Sequence, residues 1–198
     1  MAWNELGRDA EKENKAIRDR WISVYIGIIA VILAICAMGG GNATKDSTRY
    51  NIEATNGWAF FQAKNLRRNA LVLSVDELEL TMKTNPTLTP EARALYEEKI
   101  KTRKADIARL TSDPATKEGL DQLFEKNKAL EGQRDNSLRR DPYFDYGQAF
   151  LQIAIVIASV ALISNGSLLL VFSVLFAAFG VLCTLNGYTL LLTIPFVE

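Results

Sequence analysis

The stretch NATKDSTRYNIEATNGWAFFQAKNLRRNALVLSVDELELTMKT, residues 42–84, decides the fold of this chain. Ile52, Ala59, Leu66, Leu73 and Leu80 recur every seven residues, and Ala63 and Ala70 fall four after Ala59 and Leu66. The series Ala59, Ala63, Leu66, Ala70, Leu73 therefore steps by four and three, which is a coiled-coil seam and not a strand pattern. Its alanines let a partner helix approach closely. Ala54, Trp58, Phe61 and Val72 fall on a second face of the same helix, roughly opposite the first. A helix apolar on two faces needs two partners, one from this chain and one from another copy or another protein.

Composition bounds the rest. At 198 residues the chain holds one or two domains. Lys+Arg and Asp+Glu both number 23, so no net charge draws the protein toward nucleic acid. Histidine is absent, which removes the commonest general base and the commonest transition-metal ligand. Cys36 and Cys183 both lie in apolar runs, where small buried hydrophobes are expected and not a disulfide or a metal site.

Upstream, residues 1–20 carry charges of both signs at helical spacing and read as a short surface segment. Trp21 opens an uncharged run of the length of a transmembrane helix, assigned to residues 21–41, with Trp21 and Tyr25 at the interface. The charged lead is too long for a cleaved signal, so a retained anchor is expected. Gly39-Gly40-Gly41 should break or kink the chain on leaving the membrane.

Downstream, Asn85-Pro86 stops the long helix, and Thr89 with Pro90 is an N-cap followed by a proline at the first helical position. Ser112-Asp113-Pro114 repeats that start for a third helix bearing Leu120, Phe124, Leu130 and Leu138. At about 1.5 Å per residue the outgoing helix spans roughly 63 Å and the two returning pieces roughly 70 Å. Residues 42–145 thus form a coiled-coil-like antiparallel helical hairpin outside the membrane, its return leg ended by Arg139-Arg140-Asp141-Pro142. A second span over 146–164, a turn at Asn165-Gly166-Ser167, a third span over 168–186 and an apolar tail over 187–198 complete the chain. The fold class is an all-α membrane protein with three transmembrane helices.

Each span carries small residues at a spacing of three to four. They are Gly27, Ala30, Ala34, Ala37 and Gly41 in the first, Gly147, Ala154, Ala158 and Ala161 in the second, with Leu151 as an exception, and Ser173, Ala177, Gly180 and Thr184 in the third. Lipid tails give helices no hydrophobic reason to associate, so close packing through small residues is a main route to it. No charge lies inside a span, which argues against proton relays and voltage sensors. The carboxylates at Asp76, Glu77 and Glu79 read as a solvated helix face. Lys64, Arg67 and Arg68 beside Trp58, Phe60 and Phe61 could mimic a nucleic-acid patch, but protein docking or burial within the bundle explains those aromatics better. No phosphate loop, nucleophile elbow or metal-spaced cluster appears, so neither an enzyme nor a cofactor is expected.

The run Asn51-Ile-Glu-Ala-Thr-Asn-Gly-Trp-Ala-Phe-Phe-Gln-Ala-Lys64 and the run Arg140-Asp-Pro-Tyr-Phe-Asp-Tyr146 resemble a family of uncharacterised bacterial inner-membrane proteins. The similarity covers nearly the whole chain after about residue 14. It implies three spans with a helical insert in a bacterial inner membrane, and no catalytic or cofactor residues. Lys/Arg crowd the segment before the first span, which favours a cytoplasmic N-terminus and a periplasmic hairpin; Arg134, Arg139 and Arg140 weigh the other way. The function expected is that of a structural, non-enzymatic protein that self-associates through the long helix and the small-residue stripes. An accessory subunit docked on a larger membrane complex is the alternative, and a channel or transporter component ranks below both. Partners are the lipid bilayer and either further copies or other membrane subunits, with no nucleic acid and no small-molecule substrate.

Overall fold

A computed structural model describes the backbone of residues 2–164 and 166–192 and the side chains of residues 13–164 and 166–192. Four helices follow in order: α1 (Ala2–Thr84), α2 (Pro90–Thr111), α3 (Leu120–Ser164) and α4 (Ser167–Thr189), with no strand among the described residues. α1, α3 and α4 are each long and apolar enough to cross a membrane. The chain divides into two compact units, one of Met1–Ser47 with Asp135–Glu198 and one of Thr48–Arg134.

In the first unit α1 buries Ile22, Ile29, Cys36 and Ala43, another seven-residue repeat. Ile29, Cys36 and Ala43 meet Phe144, Leu151 and Ala154 of α3 and Ala177 of α4 in one apolar cluster. Close approach is built from small residues, since a Cβ at Gly147 would meet Cys36 Sγ at 2.9 Å and Thr184 Oγ1 at 3.0 Å. Ser173 is paired twice inside this cluster. The Ser173 hydroxyl donates to the Ala154 carbonyl at 2.7 Å, which leaves the Tyr25 hydroxyl, 3.0 Å away, as donor to Ser173 Oγ. One serine thereby ties α1, α3 and α4 together.

Gly39-Gly40-Gly41 neither breaks nor kinks the chain into separate elements; α1 runs through it. None of the three has a positive φ. The absent side chains of Gly39 and Gly40 make room, because a Cβ at Gly39 would lie 2.5 Å from Phe144 Cε1 and 2.8 Å from Tyr188 Oη, and one at Gly40 3.1 Å from Phe144 Cβ. Helix propensity lost at a glycine, roughly 0.5–1 kcal/mol, is smaller than the roughly 1.5–3 kcal/mol that full burial of a ring such as Phe144 contributes. Pro142 likewise fails to end a helix and sits inside α3. The next two residues, Tyr143 and Phe144, are both buried, so packing just beyond the proline holds the helical path.

The C-terminal tail leaves α4 through Leu190 in the left-handed region at φ 50. Asn186 secures that exit, its amide donating to the Leu192 carbonyl at 2.8 Å and accepting from the Leu192 N–H at 2.9 Å. The remainder of the 187–198 tail from residue 193 on, and the side chains of residues 1–12, lie outside the described residues.

The second unit is an antiparallel arrangement in which α2 and then the start of α3 return along α1. Contacts descend α1 as they ascend the return leg: Lys104 pairs with Glu79 at 2.7 Å, Arg103 bonds Ser74, Lys64 bonds the Glu118 carbonyl, and Trp58 reaches Glu131. Thr89 caps α2 by accepting from the Ala92 N–H at 3.3 Å, with Pro90 as the first helical residue. Pro114 does not start the third helix, which begins only at Leu120. Asp113 closes a turn instead, its carboxylate accepting from the Thr116 N–H at 3.2 Å and its carbonyl from the Lys117 N–H at 2.9 Å. Lys117, at φ 58, then turns the chain out of helical geometry.

Candidate functional site

The two apolar faces of α1 within the second unit have different fates. Ala54 and Val75 are buried, and Trp58, Phe61 and Val72 are half-buried against the return leg. Trp58 stacks edge-on to Phe61 at 5.4 Å and to Phe124 at 5.6 Å, and its indole N–H donates to Glu131 Oε1 at 2.9 Å. Trp58 and Phe61 were candidates for a docking face or for burial within the bundle. The structure gives them a partner inside the chain. The Lys128 ammonium, followed by that indole, holds the Glu131 carboxyl below the usual carboxylate range.

The other face has no partner among the described residues. Ile52 is 55% exposed, Leu66 70%, Leu73 64% and Leu80 62%, and Ala59, Ala63 and Ala70 between them are exposed as well. Internal pairing thus uses the aromatic face and leaves the seven-residue repeat as an apolar stripe at the surface. Such a stripe, sustained over four heptads, is more than the scattered exposed apolar residues any surface carries.

The three small-residue stripes also divide. Ala154, Ala158 and Ala161 of α3 and Ser173, Ala177 and Gly180 of α4 are all buried, packing the first unit together. Gly27, Ala30, Ala34 and Ala37 of α1 are all exposed, and a Cβ at Gly27 would meet nothing within 4 Å. The buried side of α1 is the Ile22, Ile29, Cys36, Ala43 series, roughly opposite that stripe. Its seven-residue spacing was legible in the sequence beside the more conspicuous small residues.

Two buried polar groups carried no sequence signal. The Asn127 side chain is 0% exposed, and neither its amide nitrogen nor its oxygen has a hydrogen-bond partner. It lies directly against Gly57, beside an open cleft of about 760 Å³. In the first unit Arg140 Nε is buried without a partner in a cleft of about 210 Å³. Among the described residues no group of three or more His, Cys, Asp or Glu could hold a metal ion.

A described domain family covers residues 18–190, which takes in α2, α3 and α4 whole and α1 from Arg18 onward. The chain belongs to DUF4337, a domain of unknown function. No curated protein matches the chain, and no solved structure matches it. The DUF4337 match therefore establishes kinship over nearly the whole chain and assigns no activity. It spans both the Asn51–Lys64 run and the Arg140–Tyr146 run on which the family resemblance was read.

Proposed function

We propose that this DUF4337 protein is a structural, non-enzymatic membrane protein whose copies join through the exposed stripe of α1. The apolar segments of α1, α3 and α4 cross the bilayer, taken to be a bacterial inner membrane with a cytoplasmic N-terminus and a periplasmic hairpin. The observation that carries the reading is the row Ile52, Ala59, Leu66, Leu73 and Leu80, seven residues apart and exposed throughout. Covering the four large members further, from about half to full burial, contributes roughly 3–6 kcal/mol per copy. Two copies together supply roughly 6–12 kcal/mol, against an association cost of about 4–15 kcal/mol for free molecules. Alone in solution the stripe sits near break-even. Confinement of anchored copies to one bilayer raises their effective concentration and favours association. The exposed Gly27, Ala30, Ala34 and Ala37 stripe provides a second close-packing surface of the kind lipid-embedded helices use.

Native mass spectrometry on protein extracted gently from its own membranes tests this. Integer multiples of the chain mass are expected. A monomer under those conditions would refute self-assembly. One or two copies beside other subunits would instead make the chain an accessory component, its stripe covered by a foreign helix.

A further inference from the structure

We propose that the cleft around Arg140 binds the phosphate of a phospholipid headgroup. Asn42 and Asp46 of α1, Ser137 and Arg140 of α3 and Tyr188 of α4 line it, with Gly39 and Phe144 beneath. Five polar side chains converging on one small space are unusual beside apolar segments, and an interior of this kind suits a charged, hydrogen-bonding guest. Arg140 determines the sign of that guest. Its Nε is buried without a hydrogen-bond partner, and a guanidinium cannot shed its charge to relieve this. Donation to an oxyanion is the remedy its planar fork is built for. Asp46 in the same cleft is already engaged by another group of the protein and so is not a bare competing anion. The Tyr188 hydroxyl is committed as donor to the Ile35 carbonyl at 3.1 Å, leaving Asn42 as the further amide donor at the mouth.

Size and depth identify the source of the phosphate. At about 210 Å³ the cleft holds about seven waters, which is too small for a cofactor-sized ligand and enough for a phosphate with its first glycerol or alcohol atoms. Arg140 lies six residues before the uncharged run that opens at Tyr146, about 9 Å along a helix. Headgroup layers extend roughly 5–8 Å beyond the hydrocarbon, within reach of an arginine side chain. The phosphodiester of a lipid is thus the anion already present at this level.

The test uses the full chain in detergent, titrated with phosphatidylglycerol, phosphatidylcholine and diacylglycerol and read by lipid adducts in native mass spectra. Both phospholipids should bind, and diacylglycerol should bind at least tenfold more weakly. Arg140→Gln should weaken phosphatidylglycerol binding at least tenfold, Arg140→Lys less, and the neighbouring Arg139→Gln less than twofold. Asn42→Leu, at an exposed position on the mouth, should weaken it at least threefold and serves should Arg140→Gln lose its helical circular dichroism. Inorganic phosphate displaces the lipid at millimolar concentration if the bare anion is what the cleft takes; failure to displace it assigns the site to the lipid. Unchanged lipid retention in Arg140→Gln and Asn42→Leu, equal binding of diacylglycerol, or no adduct on the wild type would each overturn the proposal.

Discussion

At the scale of single residues, Gly57 and Asn127 form the contact with the clearest consequence. A Cβ at Gly57 would fall on the Asn127 carboxamide, 2.8 Å from Cγ and closer still to Oδ1, so that buried side chain would have to be displaced. Gly→Ala inside a helix ordinarily stabilises by roughly 0.5–1 kcal/mol. Here overpacking of about 1–3 kcal/mol opposes it, so Gly57→Ala is destabilising on balance. Gly132 meets nothing within 4 Å, so Gly132→Ala shows the ordinary gain. Denaturant unfolding of the two variants checks the opposite signs, and adding Asn127→Ala to Gly57→Ala should recover part of the loss.

Acid acts at the same scale. Glu131 is held low by Lys128 and Trp58, Glu79 by Lys104, and Asp113 by the Thr116 N–H. Depressed folded values mean stability that is present above the unfolded pKa and lost as pH falls through the folded one. The ordinary values are 4.5 for the glutamates and 3.8 for Asp113, so stability should hold near neutrality and decline below about pH 4.5. Melting followed by circular dichroism between pH 7 and 3 measures this. Glu131→Gln should flatten the decline, and salt should weaken the exposed Glu79 share more than that of the Trp58-bonded Glu131.

Among the elements, α1 is the one whose sequence names two faces and whose packing chooses between them. Its aromatic face is closed by Phe124 and Glu131, while the Ala63, Leu66, Ala70, Leu73 seam is open. A charge on the open face disturbs nothing inside the chain. Ala63→Glu and Ala70→Glu should therefore leave helicity unchanged and monomer stability within about 0.5 kcal/mol of wild type. Both should shift the protein toward monomer in native mass spectra. Persistence of the oligomer would remove the seam from the interface. Trp58→Ala should behave in the opposite way, lowering stability by roughly 3–5 kcal/mol in proportion to its burial while association through the seam survives.

For the whole molecule, the small-residue stripes divide into two that are packed within the chain and one that is exposed. Ala158 is 0% exposed in α3 and Ala34 is exposed in α1. Ala158→Leu should cost about 1–3 kcal/mol of stability through overpacking. Ala34→Leu should leave melting unchanged and lower association only if copies meet along that face. Thermal melting and native mass spectrometry on the same two samples distinguish these outcomes.

Several features follow from local chemistry and needed nothing else. The apolar lengths, the Thr89-Pro90 start of α2 and the antiparallel return were all readable in the chain, because hydrophobic run length, capping and proline act over a few neighbouring residues. The two-faced periodicity of α1 was readable as well. What only the tertiary structure decided was how each local signal is resolved by its surroundings. Gly39-Gly40-Gly41 and Pro142 read as breaks from their backbone chemistry, yet the packing of Phe144 and Tyr143 keeps α1 and α3 continuous. Pro114 read as a helix start, yet Asp113 and Lys117 close a turn there. Both faces of α1 read as interfaces, and the aromatic face, held by Trp58, Phe61 and Phe124, is the one covered within the chain. Periodicity fixes which residues share a face. Which face is covered depends on side chains dozens of residues away, and no local pattern contains that information.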